Sequence, residues 1–455
     1  MRERGAYLEV RWGEVLVGRL TRAQKGRRGR VRFEYAESWL DEASSPISLS
    51  LPCSEKHCTA EASTDYFENL LPEGDVYSRL CADSKILEGD IYAFLRVFGK
   101  ECAGALSIFD PSCDGPQFSQ SYKDITDNLE EMLDDAGKRG GGILLNADAR
   151  LSIAGAQDKL PVHLEKGRYL VPDAKSNSFA PTSAILKPPS NLYPDIHCNE
   201  AFCMALAGKI GLAVPETRIV SFGSRQALLV NRYDREVTET GIRRLHQEDF
   251  CQALGVSSRR KYESDGGPGF EDCSTLLMHP AVASVASDRE KFVICAVLNY
   301  IIGNCDAHAK NFSLLYAPDR SARLAPFYDV LSTRVYPKLK ANYAMAIGKT
   351  FRFDRTSEHS WRQFAKSFSL RIEGLYPLML ATAGQIRNHA ASVISEQEAA
   401  YGSAPVYASL LGIIEEGLER VERVAKSLQK SAKPDYVDAR STGASGDFPA
   451  IPSRS

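Results

Sequence analysis

A chain of 455 residues exceeds what a single hydrophobic core organises, so two or three lobes are expected. Its composition, 44% hydrophobic and 25% charged with both signs mixed, is that of an ordinary globular protein, and a formal net charge of −2 argues against wholesale nucleic-acid binding while leaving room for a local basic patch. The start, MRERGAYLEV, has no apolar core of signal-peptide length, and the most apolar run, Phe292 to Ile302, is too short to span a bilayer and reads as a buried helix, so no membrane association is expected.

Residues 1–110 read as a strand-rich first unit. YLEVRWGEVLVGRL alternates apolar and polar residues about a Trp-Gly turn, and GALSIFD from Gly104 is a further strand. Between them, TDYFENLLPEGDVYSRL has helical spacing interrupted at Pro72-Glu73-Gly74. The cationic run Arg22 to Arg30 reads as a solvated hairpin tip. Residues 111–147 are polar, end in Arg139-Gly140-Gly141-Gly142, and read as a linker or surface excursion. Residues 148–235 begin with a meander: LPVHL, a turn at Lys166-Gly167, YLVP, then SAILK ending at Lys187. A helix follows from about Asp195 to a stop at Gly211, and the hairpin TRIVSF–GS–RQALLV runs into Asn231 to Asp234. Residues 236–430 are dominated by long helical segments, one of them opened by the capping box Ser287-Asp288-Arg289-Glu290 and apolar nearly all round to Ile302. Residues 431–455, rich in Ser, Pro, Gly and Asp, are expected to be a disordered tail. The eleven cysteines include no CxxC pair, and Cys53, His57 and Cys58 have no second pair at ligand spacing to complete a zinc site. Reduced thiols and a cytoplasmic location follow. A β-rich half followed by a helical half gives two lobes with a cleft between them.

The residues that carry chemistry are ordered as phosphoryl transfer requires: groups to hold phosphates, oxygen ligands for metal, and a carboxylate near the attacking hydroxyl. In Gly303-Asn304-Cys305-Asp306-Ala307-His308-Ala309-Lys310-Asn311-Phe312, Asp306 and Asn311 have the spacing of a kinase catalytic loop, directly after the buried helix. An ordinary turn accepts the same Asp-to-Asn spacing. Two strands, Phe312 to Tyr316 and Arg323 to Tyr328, flank the turn Ala317 to Arg320, and Asn311 and Asp329 are equidistant from Arg320. A hairpin would bring both to its open end, where two oxygen ligands suit Mg²⁺; a polar hairpin end is the plainer reading. Pro326-Phe327-Tyr328-Asp329 supplies aromatics to anchor that aspartate. Lys187, last in its strand, fits either a phosphate-pairing lysine or a solvated strand end, and Glu200 on the next helix is its candidate partner. Leu151 to Lys159 (LSIAGAQDK) has the small residues that let a backbone approach a phosphate, but with one glycine it also reads as a tight turn. Lys261 to Gly269 (KYESDGGPG) is, by composition, a polar loop.

At LSIAGAQDK, AILK, NRYDR, QEDFCQALG, KYESDGGPG, GNCDAHAKNFSLL and LAPFYDVLST the chain resembles the HipA family, from near the N-terminus to about residue 430. The resemblance implies an α+β, protein-kinase-like two-lobed fold: a β-rich N-terminal lobe carrying an extra N-terminal subdomain, and a mostly helical C-terminal lobe. It implies an ATP- and Mg²⁺-dependent Ser/Thr protein kinase toxin in which Asp306 is catalytic, Asn311 and Asp329 hold the metal and Lys187 contacts nucleotide phosphates. Ala154, Gly155, Ala156, Gln157, Asp158 and Lys159 would form the phosphate loop, and Asn231, Arg232 and Tyr233 the hinge at the adenine. His308, Lys310 and Tyr328 would join the nucleotide site, and Ser152 matches a serine whose autophosphorylation silences the kinase. The chain departs from the family pattern at Asn231, where a glutamate is expected. The implied partners are a helix-turn-helix antitoxin (HipB-like), operator DNA reached through it, and a translation-related protein substrate of the aminoacyl-tRNA synthetase class. Two other readings share these motifs: a small-molecule kinase, and a catalytically weak kinase-fold co-repressor acting with the antitoxin.

Overall fold

The computed structural model describes residues 7–23, 29–42, 45–112, 120–139, 154–155, 157–173, 180–239, 241–317, 319–339 and 341–432, with side chains of 135–139 left aside. Ser152, Ala156 and the expected tail beyond Ala432 lie outside the described residues. Among the described residues no helix is long and apolar enough to cross a membrane.

The opening alternation folds as its period dictates. β1 (Leu8–Trp12) and β2 (Val15–Arg22) form a hairpin, β3 (Val31–Tyr35) pairs with β2, and β4 (Leu106–Phe109) closes the other edge in the order β3-β2-β1-β4. Leu8, Val10, Val17, Leu20, Val31 and Phe33 turn inward and are fully buried. After the short α1 (Glu37–Glu42), three helices cover that face: α2 (Ala60–Glu68), α3 (Gly74–Asp83) and α4 (Ile91–Phe98). Thr59 and Asp90 cap α2 and α4 with side-chain oxygens, each worth about 1 kcal/mol.

Part of the stretch read as a linker is built into the fold. β5 (Tyr122–Asp124) is the edge of a six-stranded sheet, and α5 (Leu129–Arg139) buries Leu129, Met132 and Leu133. Ile125, Leu129, Met132 and Leu133 have helical spacing, but the surrounding charges hide it from a reading by composition. The meander follows as β6 (Leu160–Glu165), β7 (Arg168–Pro172) and β8 (Ala184–Lys187). The 14-residue helix α6 (Ile196–Lys209) leads to β9 (Thr217–Phe222) and β10 (Arg225–Asn231), completing the order β5-β7-β6-β8-β10-β9. Strand parity divides this sheet between two cores. Ala184, Leu186, Ala227 and Leu229 join the core of the first unit, whereas Ile219, Leu228 and Val230 join Phe202 and Leu206 of α6 in the larger core.

The second half is mainly helical, with strands added. The small hairpin β11 (Arg235–Thr238) and β12 (Gly241–Arg244) precedes β13 (Gln247–Asp249), α7 (Phe250–Leu254), α8 (Phe270–Leu276) and α9 (Val285–Ile302). β14 (Ser313–Tyr316) lies between β13 and β15 (Ala322–Leu324), and β16 (Asn342–Ile347) pairs with β17 (Thr350–Arg352). α10 (Glu358–Ser367), α11 (Ile372–Tyr401) and α12 (Val406–Ala432) pack around α9. One expectation is corrected: α9 starts at Val285 after Ser284, so Ser287 does not cap it. Asp288, inside the first turn, instead accepts the Leu324 N–H at 2.8 Å and ties the helix to β15.

Candidate active site

Lys187 is opposite Leu228 in the β8–β10 ladder, on the face turned toward α6. Its ammonium meets the Glu200 carboxylate of that helix at 2.6 Å and also bonds Asp329. The Lys187 and Glu200 side chains are only 5% and 2% exposed. Burial works against the charged lysine, but Asp329 and Glu200 outweigh it and hold Lys187 protonated. Burial likewise opposes the Asp329 carboxylate, yet Lys187 and Lys159 keep it well below the usual range. Burial raises the Glu200 carboxyl, against the pull of Lys187 and with Asp329 adding repulsion.

Asp329 has φ +53°, a left-handed conformation uncommon for a residue with a side chain. Its neighbours hold it there. The Phe327 N–H donates to Ala213 O at 2.8 Å, and the Tyr328 hydroxyl donates to Lys310 O at 2.8 Å and meets Ser313 Oγ at 2.7 Å. The β14–β15 ladder is shorter than expected: it pairs Leu314 with Leu324 and Tyr316 with Ala322, centred on Asp319, and it does not extend to Asn311 and Asp329. Asp329 is reached through the irregular run 325–328, anchored by its aromatics.

α9 ends at Gly303, whose φ of +69° gives the turn that starts the next loop. In that loop the Asp306 N–H donates to Asn304 Oδ1 at 3.1 Å. The His308 N–H and the Asn311 side-chain amide both donate to Asp306 O, each at 2.8 Å. The Asp306 carboxylate is half-exposed and accepts the Tyr262 hydroxyl at 2.6 Å; His308 Nε2 is 3.8 Å from the same oxygen. Burial pulls the His308 pKa down to about 4, so its ring is neutral near pH 7. Its Nδ1 is buried without a hydrogen-bond partner among the described residues.

Other expected nucleotide contacts have their side chains engaged elsewhere. Lys310 is buried, bonding Asn69 O at 3.1 Å and Glu73 at 2.9 Å. Arg232 sits in a buried ion cluster with Glu101 at 2.8 Å and Asp234 at 2.7 Å, so only its backbone is left for a hinge contact. Asn231 Nδ2 donates to Glu216 at 2.7 Å. The Tyr233 hydroxyl bonds Gln247, and its ring stacks on Tyr328 with centroids 5.8 Å apart. In the expected phosphate loop, Lys159 Nζ donates back to Ala154 O at 2.8 Å, and a Cβ on Gly155 would stand 2.4 Å from that ammonium. Asp158 pairs with Arg79 at 2.7 Å, and Gln157 is half-buried.

The structure thus brings Lys159, Lys187, Glu200, Asp306, His308, Asn311 and Asp329 around one site. Two participants escaped the sequence reading. Tyr262 was marked only by KYESDGGPG, and Glu73 looked like a break between helices. Among the described residues no three His, Cys, Asp or Glu side chains gather to hold a metal unaided. Asn311 and Asp329 each carry side-chain oxygens, those of Asp329 ionised, of the type a hard cation takes alongside phosphate and water oxygens.

A lysine pinned between a helical glutamate and an aspartate, above a loop carrying Asp306 and Asn311, defines a two-lobed, protein-kinase-like α+β protein. Residues 8–109 match the HipA N-terminal domain, and residues 151–401 match the HipA-like C-terminal domain. Y4mE of Sinorhizobium fredii, named a candidate kinase, is 38% identical over 367 residues, covering 79% of this chain and 85% of its own. The serine/threonine-protein kinase toxin HipA of Shewanella oneidensis is 27% identical over 355 residues, 76% of this chain and 79% of that protein. HipA in the solved complex of the Shewanella oneidensis HipA, HipB and operator DNA has the same fold, with a TM-score of 0.76 at 22% identity over 93% of this chain and 98% of that one. The chain belongs to the HipA family of serine/threonine kinase toxins.

Proposed function

We propose that this HipA-family kinase moves the γ-phosphate of ATP, with Mg²⁺, onto a serine or threonine of a translation-related protein, an aminoacyl-tRNA synthetase by family resemblance. The observation that carries this reading is the bond of the buried Lys187 ammonium to both Glu200 and Asp329, which fixes an ammonium and a carboxylate at one point. In this reading Lys187 and the 154–159 segment hold phosphates, and the backbone of 231–233 with Tyr233 and Tyr328 borders the base. Asn311 and Asp329 would hold Mg²⁺, which supplies charge neutralisation on the phosphates. Asp306 orients the substrate hydroxyl and takes its proton as the new oxygen–phosphorus bond forms; the β,γ-bridging bond breaks and its electron pair leaves with ADP.

Transfer to Ser152 would add a dianionic group two residues before the 154–159 segment and switch the kinase off. A helix-turn-helix antitoxin is the proposed partner, with operator DNA reached through it and the cytoplasm as the setting. The test is expression in a bacterial host. Wild type is expected to arrest growth, Asp306→Ala to leave growth normal, and Ser152→Ala to arrest it more persistently. Arrest by Asp306→Ala equal to wild type would refute the kinase-toxin reading.

A further inference from the structure

The first unit of the chain enters the site at one residue. Glu73 is at the N-cap position of α3 but makes no side-chain cap bond there. Its carboxylate turns inward, bonding the Lys261 ammonium and meeting Lys310 Nζ at 2.9 Å. Its N–H donates to Gly155 O at 3.0 Å, and Pro72 bridges to the same glycine. Burial alone would raise the Glu73 carboxyl, yet Lys310 and Lys261 hold it at about 2, so it is a permanent anion at any working pH.

What the two lysines adjoin gives that anion its meaning. Lys261 precedes Tyr262, the residue whose hydroxyl donates to the Asp306 carboxylate at 2.6 Å, and its ammonium lies 5.3 Å from the Tyr262 ring centroid. Lys310 precedes Asn311, whose amide donates to the Asp306 carbonyl at 2.8 Å. Two of the groups that fix Asp306, the Tyr262 hydroxyl and the Asn311 amide, are therefore each one residue from a lysine paired with Glu73. The Tyr262 bond at Oδ1 also restrains rotation of the carboxylate.

We propose that Glu73 is a positioning residue for Asp306, acting through Lys261 and Tyr262 on its carboxylate and through Lys310 and Asn311 on its carbonyl. The first unit is then a working part of the phosphotransfer site. Lys310 keeps the Asn69 carbonyl as a second partner at 3.1 Å, so the line through Lys261 is the one most dependent on Glu73. The inference rests on the role proposed above for Asp306.

The test uses full-length protein and labelled ATP with Mg²⁺, reading the rate constant of label transfer at saturating ATP and the ATP concentration giving half that rate. Lys261→Met, Tyr262→Phe and Glu73→Gln should each lower the rate constant at least tenfold while half-saturation stays within threefold. Lys261→Arg should remain within threefold of wild type in both. Because Tyr262 lies beyond Glu73 on the Lys261 line, adding Tyr262→Phe to Glu73→Gln should leave the double variant no slower than the slower single variant. If Glu73→Gln loses ATP binding and cooperative melting, Lys261→Met and Tyr262→Phe decide, since both leave the Glu73–Lys310 pair intact. Wild-type rates in those two, or losses that multiply in the double variant, would overturn the inference. No transfer by wild type, or equal transfer by Asp306→Ala, would instead remove the kinase reading beneath it.

Discussion

Lys187→Met isolates the electrostatics of the site from catalysis. It keeps the length of the side chain and removes the ammonium between Glu200 and Asp329, which leaves the buried Glu200 carboxylate and the partly exposed Asp329 carboxylate with Lys159 as the lysine beside them. Breaking a buried pair from one side typically costs about 3–5 kcal/mol. Glu200, already raised by burial, can relieve that cost by taking up a proton, so its folded pKa should rise further above its unfolded value of about 4.3. A carboxyl whose folded pKa is raised gives its stability at low pH and loses it as pH climbs from the unfolded toward the folded pKa, at up to about 1.4 kcal/mol per unit. The deficit of Lys187→Met against wild type should therefore be small at pH 5 and approach about 3–5 kcal/mol by pH 8. Thermal unfolding in nucleotide-free and metal-free buffer across that range reads it directly. Adding Glu200→Gln removes the titrating group and should flatten the dependence. An equal deficit at pH 5 and pH 8, or a slope that survives in the double variant, would refute the reasoning.

Glu101 is 1% exposed and meets Arg232 at 2.8 Å and Arg235 at 3.0 Å, with Arg244 also bonded to it. Glu101→Gln should cost about 3–5 kcal/mol near pH 7, measured by denaturant unfolding. Burial opposes this carboxylate, but Arg244, Arg235 and Arg232 hold it at about 2. Its contribution is therefore present above about pH 4.3 and is lost as pH falls toward 2, so the gap between variant and wild type should close over that interval. Gly303→Ala would place a side chain at φ +69° with its Cβ 2.6 Å from Arg334 Cδ. A loss of about 1–2 kcal/mol is expected, and an unchanged melting temperature would contradict it.

The parts of the site legible in sequence are those set by local periodicity. Alternation puts Lys187 at the end of β8 on the face opposite Leu186, and the helix that follows brings Glu200 beneath it. The loop after α9 is legible because a long apolar helix ending at glycine must release the chain there. Lys310 and Arg232 have side chains pointing away from their expected contacts because each is claimed by an acidic partner in the first unit, Glu73 and Glu101 respectively. Nothing near those residues in sequence announces such partners. Glu73 lies 188 residues from Lys261, and its turn reads locally as a helix break. The same limit applies to α5, whose four apolar residues are outnumbered by charge, and to α9, whose serine three residues too late made an equally good capping box on paper.

The central claim is phosphoryl transfer directed by Asp306, and the most direct measurement is labelled ATP given to purified wild type and Asp306→Ala with and without Mg²⁺. Wild type should transfer label only with the metal, and the variant should be slower by about 10²–10⁴ while still binding ATP. Equal transfer by the two proteins, or transfer that ignores the metal, would contradict the account.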